Sequence, residues 1–568
     1  MPRLSSLLLA LLLCLVAVPV PTAEGHGGQF RPTAPGPRTP TPPGIPTQPT
    51  APSQTGKIVH DWTIWWGYRQ YQYLDYRRLQ RDRRGPVTGS EGKEDPNAWR
   101  DELRTRLLPM LRKALRDDDK EVRTAAAVAL GKLEARETIP DLVRMLENDK
   151  LQEAREAALA GLMYMREPQL RETFEKQVRD KSSKLRLRGF ALFGIGRLGD
   201  DRSLAYLQSF FDRKDKQARA LLPSGKGEKR QFQVACLAAM VMGEREDLAE
   251  FLLGVASNKK LDEQVRAYAL TALAKTKAAS KVPEITEFLK NARVDIQLRR
   301  SAAVALGVLA KPADKEAVEA LTTTMTRDKD DVLRHFSTIA LGRIGGGECG
   351  KALLKRLGRV RTEDREFVLI ALGISKHPGA SKPLIKALRT EKNARRKAAA
   401  ALALGLLGNR KNSEVVHKEY KQAKDWLLLQ TCSLSLGMLD HKKAGPSLKD
   451  VLIEKKQPGL RAAAALAYAL IQQHLAVPVF IEVLEESKSI VTMTAMVRVM
   501  SFLSSPNAAK PLEALYADKK LQRQVRAYAL IGLGSLADKA DFPLLVSMGF
   551  DINYFVRCDP LDEAITIL

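Results

Sequence analysis

Apolar and polar positions follow one recurring pattern along most of this chain. An aliphatic residue and an arginine precede an alanine-rich stretch that closes on Leu-Gly, as between Val122 and Gly131. Because apolar positions at this spacing are typical of buried α-helices, each copy predicts a helix. Thirteen copies fit the frame, with anchors at Val122, Ala154, Leu187, Val234, Val265, Leu298, Leu333, Asp364, Arg396, Leu428, Leu460, Val491 and Val525. A period of about 32 residues predicts stacked repeats.

Prolines divide each period into two helices. Seven of them lie 13 to 15 residues before the next anchor and open a helical apolar pattern: Pro109, Pro140, Pro283, Pro383, Pro446, Pro478 and Pro511. Proline is favoured at the start of a helix because its missing N–H would have no partner there. Glycines at the end of the pattern, such as Gly131 and Gly307, are expected to terminate the second helix.

An aspartate stands four residues before the arginine of several anchors. Such an aspartate can accept hydrogen bonds from the first turn of a helix and can pair with an arginine one turn later. Stacked repeats would align these residues into a ladder between layers, which we interpret as structural, with ligand binding as the alternative. The ladder residues are Asp119, Arg123, Asp262, Arg266, Asp295, Arg299, Asp330 and Arg334.

Together these features resemble HEAT repeats, in particular the short bacterial repeats of phycobilisome-lyase-like proteins. The Asp and Val-Arg anchors, the proline-opened first helix and the short period carry the resemblance, which extends over residues 99–540. It implies an all-α superhelix, a HEAT-like solenoid of about thirteen helix pairs. The family contains lyases, hydroxylases, nucleic-acid binders and scaffolds, so the resemblance implies a fold and not one function.

The N-terminus is typical of a secretory signal peptide, which we assign to residues 1–23. Arg3 is a short basic region, an apolar run extends from Leu7 to Val18, and small residues lead to Ala23. The run has about twelve residues, whereas a membrane-spanning helix needs roughly 20. We therefore expect export to the periplasm or the exterior, with membrane contact at most peripheral. An uncleaved anchor and a lipoprotein attached through Cys14 are the alternatives.

Other segments flank or interrupt the repeats. Residues 24–58 are rich in proline and threonine, which predicts a disordered, extended linker. Residues 59–98 are aromatic and basic, and residues 541–568 break the pattern. We expect these two segments to cap the first and the last repeat, whose apolar faces would otherwise be exposed. A basic insertion near 211–231 is predicted to be a mobile loop.

Charge and composition indicate which residues could bind a partner. Lys and Arg number 92 against 66 Asp and Glu, and the net charge of +26 attracts polyanions, although solvation alone also accounts for it. Only 6% of the residues are aromatic, so a close group of tryptophans is unusual in this chain. The group either packs as a cap or offers a stacking surface for a partner or a sugar. The candidate binding residues are Lys214, Lys216, Arg219, Lys226, Lys229, Arg230, Trp62, Trp65 and Trp66.

Residues suited to catalysis or metal binding do not cluster along the sequence. The seven histidines are scattered singly, at His26, His60, His335, His377, His417, His441 and His474. HEAT-repeat hydroxylases hold iron with His-Glu pairs, and this sequence has no His-Glu dipeptide and no HExxH, GxSxG or GxxxxGK[ST] motif. The cysteines beyond the signal region are far apart and are expected to be buried, unpaired thiols. We therefore expect no catalytic residue, no metal and no cofactor.

The sequence favours a non-catalytic scaffold that binds protein partners of unknown identity through an extended solenoid surface. Exposed residues of the second helices would contact the partner across the concave face, which must then be open. Thirteen layers predict a contour of roughly 100 to 130 Å. Binding of an anionic polysaccharide, lipid or nucleic acid in the cell envelope is the alternative, and a lyase-like enzyme that attaches a bilin-like chromophore is a third hypothesis.

Overall fold

The structure is a computed structural model, and it describes most of the repeat region. The described residues are 61–74, 98–243, 245–360, 364–454, 457–487, 489–503, 505–538, 547–556 and 558–564. The predicted signal peptide at 1–23 and the predicted linker at 24–58 lie outside them. All regular structure in these ranges is helical, and none of these helices is long and apolar enough to cross a membrane.

Thirteen helix pairs form the described part of the repeat region. They are preceded by α1 (Trp62–Tyr73) and followed by α29 (Asp559–Ala564). The pairs are α2 (Ala98–Ala114) with α3 (Lys120–Lys132), α4 (Ile139–Asn148) with α5 (Gln152–Met165), α6 (Arg171–Arg179) with α7 (Leu185–Leu198), α8 (Asp201–Ser209) with α10 (Lys226–Met240), α11 (Ala249–Ser257) with α12 (Glu263–Lys275), α13 (Val282–Lys290) with α14 (Ile296–Leu309), α15 (Lys315–Arg327) with α16 (Asp331–Ile344), α17 (Gly346–Leu357) with α18 (Arg365–Ile374), α19 (Ser381–Thr390) with α20 (Ala394–Leu407), α21 (Ser413–Gln422) with α22 (Trp426–Met438), α23 (Gly445–Glu454) with α24 (Pro458–Ile471), α25 (Gln473–Glu486) with α26 (Ile490–Phe502) and α27 (Ala509–Ala517) with α28 (Arg523–Ala537). The fourth pair contains the insertion helix α9 (Lys216–Leu221).

The pairs stack in two layers. Each second helix packs on the second helices before and after it and on its own first helix, and the second helices lie closer together than the first helices do. The second helices therefore form the inner layer. Helix α20, for example, is buried at every position from Ala398 to Leu406, as expected for a helix that is covered on all sides. These observations confirm the predicted all-α superhelix.

The glycines of the Leu-Gly signature do not terminate the second helices. Five of them lie inside these helices: Gly131, Gly307, Gly342, Gly405 and Gly437. A Cβ placed on Gly307 would lie 2.8 Å from the Cα of Ala340 on the neighbouring second helix, closer than real side chains approach. The prediction is therefore wrong, because these glycines permit close packing between helices. Four second helices instead reach a left-handed residue two positions beyond their end: Glu134, Lys277, Lys376 and Asp440.

Most of the prolines lie where the pattern predicts. Five are in the first turn of a first helix: Pro140, Pro283, Pro383, Pro446 and Pro511. Pro109 and Pro478 lie inside α2 and α25, because these two helices begin well before their proline. The two-helix content of each period is thus confirmed, although the proline does not always mark the helix start.

The last helix pair packs against the first, so the superhelix closes into a ring. Helix α28 lies beside α3, and Lys132 Nζ donates to Ser535 Oγ at 2.6 Å. Arg100 Nε of α2 donates to the backbone carbonyl of Leu536 at 3.1 Å. The predicted contour of roughly 100 to 130 Å is therefore the circumference of a ring and not the length of an open arc.

The segments that were expected to cap the two ends lie against the inner layer. Trp65 and Tyr73 of α1 line a crevice with Gly307 of α14 and Phe336 of α16. Helix α29 packs on α7 and α10. A closed ring has no terminal apolar face, so the described parts of 59–98 and 541–568 cover second helices in the middle of the chain instead of capping its ends.

Candidate functional site

The four ladder aspartates cap second helices. The carboxylate of Asp119 accepts hydrogen bonds from the backbone N–H groups of Glu121 and Val122. The other three accept in the same way, Asp262 from Gln264, Asp295 from Gln297 and Asp330 from Leu333. These bonds satisfy N–H groups that have no partner within the helix. Each of the four aspartates is therefore the N-cap of a second helix.

Two ladder arginines contact the preceding first helix and not the ladder aspartate of their own helix. Arg299 Nε donates to the backbone carbonyl of Leu289 at 3.1 Å, and its Nη2 pairs with Asp328 of the next repeat at 2.6 Å. Arg266 Nε donates to the carbonyl of Ala256 at 2.8 Å. The carbonyls at a helix C-terminus are partly negative and attract these side chains. For these two residues bonds between helices replace the expected pairing, whereas Arg334 pairs with Asp331 of its own helix at 2.9 Å.

The other two ladder arginines also reach the following repeat. Arg123 Nε pairs with Asp149 at 3.1 Å. Arg334 donates to both carboxylate oxygens of Asp364 at 3.0 Å, and this carboxylate also accepts from Arg356 at 2.9 Å. Burial alone would raise the pKa of Asp364, but the hydrogen bonds of His335, whose Nε2 lies 3.0 Å from the carboxylate, and of Arg334 hold this pKa well below its usual range. Asp364 is therefore an ionised link between repeats.

A buried carboxylate fixes the C-terminal segment inside the ring. Asp551 accepts from Arg343 of α16 at 2.5 Å and from Gln72 of α1 at 3.1 Å, with Arg69 at 4.0 Å. Arg69 also donates to the backbone carbonyl of Ile552. Burial would raise the pKa of Asp551, but the two arginines hold it well below its usual range. The N-terminal and C-terminal segments thus share one ionic anchor on the inner layer.

The candidate tryptophans belong to the same packing. Trp62, Trp65 and Trp66 are each at most 2% exposed, and Trp66 stacks on Tyr73 with ring centroids 6.0 Å apart. Their faces are therefore not a stacking surface for a partner or a sugar. The expected binding mode across an open concave face also differs from the structure, because α1 and the described residues 547–556 and 558–564 lie against the second helices.

The basic insertion is folded, and this differs from the predicted mobile loop. It consists of α9 and the first turns of α10. Of its six candidate cations, five are exposed and Arg230 is half-buried. Within the described ranges none of the six has a carboxylate partner. The cations are Lys214, Lys216, Arg219, Lys226, Lys229 and Arg230. They form an accessible positive cluster on the fourth repeat.

The cysteines are buried and free, as the sequence predicts: Cys236, Cys349, Cys432 and Cys558. Burial raises the pKa of the Cys432 thiol far above its usual value. A protonated, inaccessible thiol is unreactive.

Two histidines that are separate in sequence meet at the junction of two repeats. His417 lies on α21, and His441 lies in the turn between α22 and α23. Their Nδ1 and Nε2 atoms are 2.9 Å apart, and His441 Nδ1 is 3.0 Å from Ser413 Oγ. The carboxylate of Glu414 lies within 4.8 Å of the ligand nitrogens of both rings. The expectation that the histidines stand singly is therefore wrong for these two.

The signal for this cluster is a spacing of about one repeat. Ser413 and His441 are 28 residues apart, and Glu414 and Lys443 are 29 apart. In a solenoid such residues occupy similar positions in neighbouring repeats and contact each other. A comparison of polar residues one period apart would have found the cluster.

Solved structures of other helical proteins are similar to this chain. Human deoxyhypusine hydroxylase in complex with glycerol is 20% identical, with 48% of this chain and 96% of that chain covered and a TM-score of 0.22. The complex of CpcE and CpcF of phycocyanin lyase from Nostoc sp. PCC7120 is 22% identical, with 45% and 94% covered and a TM-score of 0.30. Importin beta is 14% identical, with 75% and 67% covered and a TM-score of 0.35. TM-scores this low do not indicate a shared function.

A family model identifies the repeats themselves. The model for HEAT repeats matches residues 98–163, 248–342, 318–405 and 381–469, which together make up just over half of the chain. No curated protein matches the sequence. The matched ranges coincide with stacked helix pairs of the ring. The chain therefore belongs to the HEAT-repeat family.

Proposed function

We propose that the protein is an exported, non-catalytic scaffold that binds protein partners through the outer surface of its ring. The observation that carries this proposal is the occupation of the inner layer by α1 and the C-terminal segment. The first helices, by contrast, present their polar faces to solvent around the ring. A partner would make many shallow contacts with several neighbouring first helices, as solenoid proteins do along extended surfaces.

Binding of an anionic polymer is a second candidate, which the exposed cations favour. One group is the basic insertion. Another lies on α19, where Lys382, Lys386 and Arg389 are exposed at helical spacing, and none of the three forms an ion pair within the described part of the chain. Unpaired cations attract phosphate, sulfate or carboxylate groups through forces that salt screens. Anionic polysaccharide, lipid and nucleic acid all carry such groups.

A capture experiment at two salt concentrations separates the two candidates. The full chain is immobilised, envelope extract is passed over it at low and at high salt, and the retained material is identified. In parallel we would use a variant with the six insertion cations changed to glutamine. A second variant changes Lys382, Lys386 and Arg389, the other candidate group, to glutamine, so that a loss of binding in either variant locates the cations that hold the polymer.

Each outcome assigns a function. Specific proteins retained at both salt concentrations, and retained equally by the insertion variant, would support the scaffold. Polymer that is released as salt rises, and that the insertion variant or the α19 variant no longer retains, would support polyanion binding. If the wild-type chain retains no more than a blank surface, both proposals are wrong. A lyase-like activity would require turnover in a separate assay.

A further inference from the structure

We propose that Glu414, His417 and His441 form a binding site for a divalent transition-metal ion such as Zn²⁺. The site lies where the start of α21 meets the turn before α23, in the outer part of the ring. It is separate from the basic insertion and from the segments inside the ring. Two imidazole nitrogens and one carboxylate oxygen form a ligand set that Zn²⁺, Co²⁺, Ni²⁺ and Cu²⁺ accept, whereas Mg²⁺ and Ca²⁺ prefer oxygen ligands alone.

The hydrogen bonds around the rings orient two nitrogens toward each other. Ser413 Oγ lies 3.0 Å from His441 Nδ1, so this nitrogen can carry the proton and donate it to the hydroxyl. His441 Nε2 then offers its lone pair toward His417 Nδ1 at 2.9 Å. Histidines that bind a metal usually donate their other N–H to a protein group in this way, which fixes the tautomer and the orientation of the ring.

The distances require only small movements to accommodate an ion. Zn–N bonds of 2.0–2.1 Å at a tetrahedral angle separate two ligand nitrogens by about 3.3 Å. The two rings, now 2.9 Å apart at their facing nitrogens, would move apart by about 0.4 Å. The ion would replace the hydrogen on His417 Nδ1, and this proton would move to Nε2 of the same ring. The side chain of Glu414 is 63% exposed, so it can turn toward the ion. Solvent would supply the remaining ligand.

The other charged groups beside the rings are Lys421 and Lys443. Lys443, which pairs with Glu414 at 3.0 Å, competes with the ion for this carboxylate.

The second nitrogen of His417 has room for a proton. His417 is 5% exposed, and its Nε2 atom has no hydrogen-bond partner among the described residues. When the ion takes Nδ1, Nε2 can carry the proton of the ring, so the imidazole stays neutral.

The test is a metal titration of the full chain, made without a histidine tag and stripped with a chelator. Co²⁺ is added near pH 7.5, its visible absorption is followed, and Zn²⁺ is then used to displace it. We expect one equivalent of Co²⁺ per chain with a tetrahedral or five-coordinate spectrum. His441→Gln and Glu414→Gln should each weaken binding at least tenfold, and Lys443→Ala should strengthen it.

Matched control variants separate the site from general effects. Glu348→Gln removes an equally exposed glutamate that pairs with Lys351 at 2.8 Å. His377→Gln alters a histidine in the equivalent turn before α19. Both controls should bind Co²⁺ like the wild type. The proposal is overturned if the wild-type chain binds no stoichiometric Co²⁺, or if Glu414→Gln, whose exposed position leaves the fold intact, binds Co²⁺ as tightly as the Glu348→Gln control.

Discussion

Gly534 of α28, the last second helix, lies directly against Ala129 of α3, the first. A Cβ placed on Gly534 would lie 2.7 Å from the Cα of Ala129, closer than real side chains approach. Helices from opposite ends of the repeat region thus pack as closely as neighbouring repeats do at Gly307 and Ala340. Closure of the ring therefore depends on a glycine in the same way as the internal junctions.

The first prediction concerns this closure. Gly534→Val forces the two backbones apart, and overpacking of this kind costs about 1 to 3 kcal/mol, with backbone collisions toward the upper end of that range. We expect a lower free energy of unfolding in denaturant titrations and a larger radius of gyration in small-angle scattering, as the ring opens at this junction. Gly254→Val is the control, because a Cβ on Gly254 has no atom within 4 Å. Equal stability and radius for both variants would show that closure does not depend on this contact.

The helix pairs are predictable from sequence, but the ring is not. The segment from Val122 to Gly131 specifies a buried helix by its local pattern, and the same pattern suits an open or a closed solenoid. Closure results from small rotations between neighbours that accumulate over thirteen pairs. No single repeat determines whether the solenoid closes. Because α1 and the C-terminal segment lie inside the ring, their positions could not be predicted without knowing that the ring closes.

The site residues divide in a similar way. Asp119 could be placed correctly, since capping depends only on the residues that follow it. The partners of Arg299 could not, because they lie in the preceding first helix and in the next repeat. His417 and His441 also meet across a junction of two repeats, and the sequence indicates this contact only through the spacing of about one repeat between Ser413 and His441.

The second prediction concerns the ionic anchor of the inner segments. Asp551→Asn leaves Arg69 and Arg343 near each other without a counter-charge, and removing one partner of a buried ion pair costs about 3 kcal/mol or more. We expect faster hydrogen exchange in residues 547–556 and in α1 than in the wild type. Asp118→Asn, at an exposed aspartate of the first repeat, should leave the exchange unchanged. Unaltered exchange in the Asp551 variant would show that aromatic packing alone holds these segments.

The third prediction concerns the contact between repeats at Asp364. Arg334→Lys keeps the charge but cannot reproduce the two hydrogen bonds to this carboxylate or the bond from Arg334 Nη1 to the carbonyl of Asp328 at 3.1 Å. We expect a loss of about 1 to 3 kcal/mol in the free energy of unfolding. Arg327→Lys, at an exposed position of α15, is the control and should change stability little. If both variants unfold alike, a single ammonium group is sufficient at this position.

The last prediction is a pH dependence at Glu366, in the first turn of α18. Burial raises the pKa of this carboxyl to about 7 from an ordinary value of 4.5, and Glu391 adds to the shift while Arg396 opposes it. The folded state therefore holds a proton that the unfolded chain releases. The resulting stabilisation is complete below pH 4.5 and is lost as the pH rises through 7. Glu366→Gln is neutral at every pH, so between these limits its free energy of unfolding should rise relative to that of the wild type by about 3 kcal/mol. Urea unfolding at acid and alkaline pH measures the difference, with Glu137→Gln as an exposed control. A variant that is less stable than the wild type at alkaline pH would show instead that Glu366 is ionised and paired.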